Sequence, residues 1–257
     1  MNHYSILYRL CHFLPAQPSV LTQSLLTQPV YSLDSTALEQ YPMTLSTTLH
    51  KIACEYQKLA AIAVKIVQRS DMLEQYLRSL GVWDCYAKNE LPQSPQRALL
   101  ALRGIVHEYP EIETQVQQGQ IPDNIVFRSA WTFLLFRYGH RGMYEGDIAY
   151  PRFGDSVQQT LAYILSLSPV RKYDDEFPTL PPMTLRAKLA LWCWSYYKHL
   201  QEQLEYHRSE AMRRTSSLRR ELIIAAEQLV RMGRLQRVEE VWHRTTEELI
   251  TLGASIV

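Results

Sequence analysis

The sequence predicts an all-α protein: a multi-helix bundle with one very long C-terminal helix and a glycine-rich central loop. Three observations support this fold class. Only 9 glycines and 13 prolines interrupt 257 residues. Between them, apolar residues recur at three- and four-residue spacing rather than in strict alternation. Residues 184–232 contain neither glycine nor proline, so one unbroken helix of about 70 Å fits there.

The N-terminal region is predicted to be a series of helices. Residues 3–28 favour two short helices, and 36–39 favour one further turn. A stripe of apolar side chains predicts a long helix over residues 43–69. A shorter helix is predicted from a Ser70-Asp71 cap to Leu80, with Gly81 as its stop.

The next elements are also helical. Ser94-Pro95 is a cap followed by a proline in the first turn, and it predicts a helix over 95–109. A short polar helix is expected over 111–118. Residues 125–136 favour a buried helix, with a strand as the alternative, because their apolar residues do not alternate strictly. Asp155 is expected to cap a helix that runs to about Ser166.

The clearest internal break is the segment 168–182, which is rich in proline and contains the acidic run Asp174-Asp175-Glu176. It divides an N-terminal helical region, 1–167, which includes the central loop 138–153, from a C-terminal region, 183–257. The sequence therefore predicts that the fold is divided into these two regions.

The C-terminal region is predicted to hold the long helix and two further elements. Gly233 is expected to end the long helix, and a short turn follows over 238–242. Thr245 and Glu248 have the spacing of a capping box that opens the last helix.

Composition limits the classes of function. A formal net charge of +1 disfavours a nucleic-acid binder. No apolar run approaches the roughly 18 residues of a membrane span, and the N-terminus is a poor secretory signal. The four cysteines are far apart in sequence, which favours reduced thiols in a cytoplasmic protein. We expect no cofactor, no nucleic acid and no membrane contact; the oligomeric state stays open.

The central loop 138–153 combines glycines with charged residues between two helical regions. Its glycines, Gly139, Gly142 and Gly146, permit backbone angles closed to other residues. Its charged side chains can pair with one another or with a ligand, and pairing within the protein is the favoured interpretation. They are Arg141, Glu145, Asp147 and Arg152.

Two blocks of sequence carry a family resemblance. In the loop the pattern is Tyr138-Gly139-His140-Arg141, then Glu145-x-Asp147, then Pro151-Arg152-Phe153. Later come Leu229 to Leu235, Glu239 to Trp242, and Thr245 to Leu249, in that order. These blocks resemble the helical middle region of phosphoenolpyruvate-synthase-like phosphotransferases, the group that includes rifampicin phosphotransferase. The resemblance covers about residues 133–249.

In those enzymes the middle region shapes the substrate side, where a phosphohistidine delivers its phosphoryl group. The resemblance therefore implies a substrate-side domain that would act with separate partner chains carrying nucleotide-grasp or phosphohistidine domains, and would not be catalytic alone. No catalytic residue and no metal ligand is assigned. The substrate-binding candidates are Arg141, Glu145, Asp147, Arg152, Glu205 and Arg208.

One departure weakens the enzymatic interpretation. The family often has an Arg-Glu pair where this chain has Leu204-Glu205, although Arg208 can substitute for the missing arginine in space. The alternative is a non-catalytic helical scaffold or interaction protein derived from the same domain. Two further residue types are interpreted as structural. His140 is favoured as a structural histidine, and the arginines between 208 and 220 are favoured as a solvent-exposed helix face.

Overall fold

The computed structural model describes residues 14–27, 45–83, 95–168 and 184–254. Within these ranges every regular element is a helix, so the all-α prediction is confirmed. The elements are α1 (Val20–Thr27), α2 (Leu45–Ser79), α3 (Pro95–Glu108), α4 (Pro110–Gln117), α5 (Ile125–Tyr138), α6 (Val157–Ser166), α7 (Leu185–Arg231), a 3₁₀ helix (Val238–His243) and α8 (Thr246–Ala254).

The very long C-terminal helix is confirmed as α7, which has 47 residues. It ends at Gly233, whose φ of 70° lies in the left-handed region that favours glycine. The Gly233 N–H donates to the Val230 carbonyl at 2.9 Å, and the Arg234 N–H donates to the Leu229 carbonyl at 2.9 Å. These bonds satisfy carbonyl groups that the last turn would otherwise leave unpaired. Gly81 ends α2 in the same conformation, also with a φ of 70°.

Two predicted helix starts were wrong. Ser70-Asp71 does not begin a new helix, because α2 is continuous from Leu45 to Ser79. The Ser70 hydroxyl is buried inside α2 and accepts a hydrogen bond from Gln201 Nε2 at 3.1 Å. The predicted cap at Asp155 is also wrong, because the neighbouring Ser156 caps α6 by accepting from the Gln159 N–H.

The predicted helix over residues 125–136 is confirmed, but it is buried on one face only. Phe127, Trp131, Leu134 and Tyr138 point inward, whereas Phe136 is 89% exposed. Asn124 caps the helix, since its side-chain oxygen accepts from two N–H groups of the first turn. The aromatic content of this segment therefore reflects an apolar surface as well as a core.

The Thr245-x-x-Glu248 capping box is confirmed in both directions. The Thr245 N–H donates to a carboxylate oxygen of Glu248 at 3.0 Å, and the Glu248 N–H donates to the Thr245 hydroxyl at 3.3 Å. The predicted turn before it is the 3₁₀ helix. The predictions for residues 3–13, 36–39 and 169–182 lie outside the described residues.

The chain folds into two compact units and passes between them more than once. Unit 1 comprises Met1–Val64, Arg141–Arg152 and His207–Val257; unit 2 comprises Lys65–His140 and Phe153–Tyr206. The predicted division into 1–167 and 183–257 stays a prediction, because most of its proposed boundary falls outside the described residues.

Unit 2 is built around the short helices α3 to α6. Their buried side chains form one apolar cluster, in which Leu102 of α3, Trp131 of α5 and Leu161 of α6 take part. A smaller cluster joins Leu77 of α2 to Ala190, Cys193 and Trp194 of α7.

Unit 1 has its core along the first part of α2, where buried residues include Leu49, Ile52 and Tyr56. Helix α1 packs against the 3₁₀ helix and α8. Polar contacts hold this packing: the Ser24 and Thr246 hydroxyls lie 2.7 Å apart, and the Thr246 N–H donates to the Ser24 hydroxyl. This arrangement fixes α1, whose N-terminus meets the central loop.

Candidate functional site

Four predicted site residues of the central loop lie together inside unit 1. Arg141 is 2% exposed, and Glu145, Asp147 and Arg152 are each 1% exposed. Ionised side chains are rarely buried to this extent unless charged or hydrogen-bonded partners accompany them. Their partners therefore show what the loop does.

Glu145 lies between two arginines. One carboxylate oxygen accepts a hydrogen bond from Arg141 Nε, four residues earlier, and the other accepts from Arg208 Nε of α7. Burial raises the pKa of Glu145, but the guanidinium groups of Arg208 and Arg141 outweigh burial and lower it to about 2. Glu145 is therefore a carboxylate at neutral pH, and it ties the loop to α7.

Asp147 supports the N-terminal cap of α1, in which the Ser19 hydroxyl accepts from the Thr22 N–H at 3.3 Å. Its carboxylate accepts from the Ser19 N–H at 2.7 Å, the Ser19 hydroxyl at 2.6 Å and the Thr22 hydroxyl at 2.8 Å. It also accepts from the Ala149 N–H at 3.0 Å. A negative charge is favoured at a helix N-terminus, where unpaired N–H groups point outward. Asp147 thus joins the loop to α1.

A third attachment runs from α7 to the loop backbone. Arg219 Nε donates to the Ile148 carbonyl at 2.8 Å. The Arg219 guanidinium also lies 5.3 Å from the ring centroid of Trp242, in cation–π geometry. Ile148 in turn donates its N–H to the Thr22 hydroxyl at 3.0 Å. One stretch of loop backbone is thus bound on one side by α7 and on the other by α1.

Arg152 is buried near the C-terminal end of the loop, where its side chain lies beside Tyr56 of α2. Burial raises the pKa of the Tyr56 hydroxyl; Arg152 opposes this shift, and Asp147 adds to it. Tyr56 is therefore a neutral phenol throughout the physiological range. Arg152 also favours the charged form of Glu145, so its positive charge lies among oxygen atoms of the same unit.

Two of the loop glycines, Gly139 and Gly142, do not use the left-handed backbone angles that glycine permits. Gly139 has ordinary right-handed helical angles, with φ −58°. Glycine is needed there because a Cβ would collide with the Leu135 carbonyl oxygen. A Cβ on Gly142 would lie 2.7 Å from the Pro151 carbonyl oxygen. At these two positions close backbone approach, rather than a left-handed angle, requires glycine.

The six predicted substrate-binding residues are divided between the two units. Arg141, Glu145, Asp147, Arg152 and Arg208 belong to unit 1, whereas Glu205, which is half-buried on α7, belongs to unit 2. Arg208 bonds to Glu145 of the loop. That it takes the place of the arginine missing at Leu204 stays a prediction.

The arginines of α7 do not form one row. Arg213 pairs with Glu210 on the same helix, Arg214 lies 3.5 Å from Glu55, and Arg219 is only 8% exposed. The solvated-face interpretation is therefore wrong for Arg219. The sequence analysis also missed Ser19, Thr22 and Tyr56, because no local pattern links them to a loop about a hundred residues away.

Within the described ranges, no three His, Cys, Asp or Glu side chains are grouped so that they could hold a metal ion. The described helices also include none that is both long and apolar enough to cross a membrane. No protein-family model matches the chain, and no curated protein matches it either.

Proposed function

We propose that this chain is a non-catalytic helical interaction domain, similar to the middle region of phosphoenolpyruvate-synthase-like phosphotransferases, which binds other protein chains. The observation that carries this proposal is the position of Glu145. Its two carboxylate oxygens accept bonds from Arg141 and Arg208 at 1% exposure. The loop residues that resemble substrate ligands thus hold the fold together.

A ligand that bound the loop arginines would have to displace the hydrogen bonds that they already make to Glu145. Removing one partner of a buried ion pair costs roughly 3–5 kcal/mol. A substrate that approached Arg141 would meet that cost before gaining any contact. Surface lysines or arginines would bind the same anion without it, so the loop is better suited to stabilising unit 1 than to binding.

The family resemblance supports the same domain type. The C-terminal block 229–249 and residues 141–152 of the loop block belong to unit 1, whereas Tyr138, Gly139, His140 and Phe153 of the loop block belong to unit 2. Most residues of the two blocks that resemble the family, in the same order, thus lie in one compact unit. A derived domain would keep that packing even after the chemistry is lost.

A second candidate is the substrate-side domain of a split phosphotransferase. One observation favours it: the side chains around the loop include four guanidiniums, those of Arg141, Arg152, Arg208 and Arg219, against the two carboxylates of Glu145 and Asp147. Arginine-rich clusters suit phosphate-type anions. Partner chains with nucleotide-grasp and phosphohistidine domains would then supply the phosphoryl group.

The two candidates differ in ligand-dependent stability. We would follow thermal unfolding of the purified chain with inorganic phosphate or phosphoenolpyruvate. A ligand at about 100 times its dissociation constant adds about 2.7 kcal/mol to the free energy of unfolding. The interaction domain predicts no change in the unfolding midpoint with either compound. A rise that persists in Arg213→Gln, an exposed arginine of α7, and disappears in Arg208→Gln would replace the first candidate by the second.

A co-purification separates the candidates independently. The tagged chain would be isolated from its native lysate and its partners identified by mass spectrometry. Stoichiometric recovery of a chain with a nucleotide-grasp or phosphohistidine domain would favour the split enzyme. Stoichiometric recovery of proteins without such domains would favour the interaction domain.

A further inference from the structure

Helix α7 carries a second apolar stripe besides the one it buries. In unit 2, Leu185 is 86% exposed, Trp192 is 64% exposed and Tyr206 is 64% exposed. The rings of Trp192 and Tyr196 stack on the surface with centroids 6.0 Å apart. We call this the exposed stripe; its members are Leu185, Leu189, Trp192, Tyr196, His199, Gln203 and Tyr206.

The exposed stripe has the spacing of a helix–helix seam. Its members follow one another at alternating intervals of four and three residues, which is the 3.5-residue period of a two-helix coiled coil. The run covers three such repeats, about 33 Å of helix. Another face of the same helical segment is buried, since Ala190, Cys193 and Trp194 pack in the smaller core cluster of unit 2. A surface helix needs only one apolar face to fold, so the second face indicates a partner helix.

We propose that the exposed stripe is the interface of a homodimer, in which the α7 helices of two copies pack antiparallel about a two-fold axis near Tyr196. All the stripe residues are uncharged when His199 is neutral, so two copies can approach without repulsion along the seam. A two-fold axis makes one patch complementary to itself.

Charges beside the stripe select the antiparallel direction. Lys188 and Glu202 are both exposed and flank the stripe on the same side, each one position before a stripe residue. With Tyr196 near the axis, Lys188 of one copy faces Glu202 of the other, and the pair occurs twice. Opposite charges beside a seam set partner choice and orientation.

The size of the stripe fits a weak, specific dimer. Aromatic side chains bury roughly 150–250 Å² each when fully covered, so the partly exposed Trp192, Tyr196 and Tyr206, with the two leucines, offer on the order of 500 Å² per copy. Two copies would bury on the order of 1,000 Å², near the lower limit of specific interfaces. We expect a dissociation constant in the micromolar range, about 1–100 µM.

The test is sedimentation equilibrium of the full chain across that concentration range, in a buffer alkaline enough to keep histidine neutral. A dimer has twice the monomer mass of 30.0 kDa. Trp192→Glu should raise the dissociation constant at least tenfold. Phe136→Glu is the matched control, because it places the same charge on a helical aromatic that is 89% exposed and outside the stripe. Circular dichroism of both variants checks that they fold.

A charge exchange tests the direction. Lys188→Glu and Glu202→Lys should each weaken the dimer about three- to tenfold, and the double variant should restore wild-type affinity to within about twofold. A monomer at every concentration overturns the proposal, as does a dimer that Phe136→Glu disrupts and Trp192→Glu does not. Failure of the double variant to restore binding overturns the antiparallel arrangement. None of these outcomes depends on phosphate-type ligands, so they leave the proposed function of the loop independently testable.

Discussion

Replacing Glu145 by glutamine removes one charge and almost no volume from the centre of the loop attachment. The carboxylate has a pKa of about 2, against an ordinary value of 4.5. A depression of that size corresponds to about 3 kcal/mol of stability at neutral pH. The variant also leaves Arg141 and Arg208 beside a neutral amide, and breaking a buried pair costs roughly 3–5 kcal/mol. We therefore expect Glu145→Gln to lower the free energy of unfolding at pH 7 by about 3 kcal/mol.

The loss should depend on pH in one direction. Since the folded-state pKa of Glu145 lies below the unfolded value, its contribution is complete above about pH 4.5 and disappears as pH falls through about 2. The difference between wild type and Glu145→Gln should thus shrink below about pH 4. Urea unfolding followed by circular dichroism at several pH values would measure it.

A control variant in a solvent-exposed ion pair shows whether burial is what makes the Glu145 pair important. Glu210 pairs with Arg213 on the surface of the same helix, with side-chain exposures of 31% and 58%. Exposed pairs contribute up to about 1 kcal/mol, so Glu210→Gln should change stability little. Hydrogen exchange of the peptide 141–152 should rise only in Glu145→Gln. If the two variants cost the same, the loop is not held by its buried charges, and the argument for a structural loop fails.

Other variants test single contacts by thermal or urea unfolding. Asp147→Asn should cost about 1–3 kcal/mol, because a neutral amide is a weaker acceptor for the N-terminus of α1; an unchanged stability would contradict the capping role. Gly142→Ala should destabilise by more than about 1 kcal/mol, since its Cβ would lie 2.7 Å from a carbonyl oxygen. Gly233→Ala should cost about 1 kcal/mol because of its φ of 70°. Gly104→Ala, inside α3 with open space around the added Cβ, should stabilise by up to about 1 kcal/mol. Equal effects at these last two glycines would contradict the conformational argument.

The elements that the sequence predicted correctly are those with local causes. Gly81 and Gly233 end their helices at the predicted positions because a left-handed residue is needed where each helix stops. Thr245 and Glu248 are three residues apart, so their reciprocal bonds could be expected from spacing alone. Ser70 had a weaker local signal, a serine without a glutamate three residues later, and it does not cap a helix because α2 is continuous through it.

The candidate site was harder to predict, because its residues satisfy one another over long sequence distances. The loop sequence shows arginines and acids close together, a composition shared by ligand sites and by internal ion pairs. What decides between them is the partner of each charge. Arg208 lies 63 residues from Glu145, and Ser19 lies 128 residues from Asp147. No spacing rule connects such residues, and only the fold brings them together.

The central loop needs charged side chains because it is buried. A loop that enters the interior of unit 1 carries backbone groups that need partners. Here Arg219 donates to the Ile148 carbonyl, and the Thr22 hydroxyl accepts from the Ile148 N–H. An apolar loop would leave no groups to meet α7 and the polar N-terminus of α1. Arg141, Glu145 and Asp147 instead supply charged bonds whose geometry fits only one placement of the loop. A variant that exchanges both members of the Glu145–Arg208 pair should lose stability in urea unfolding as the single variants do, because Arg141 would then face an arginine at position 145.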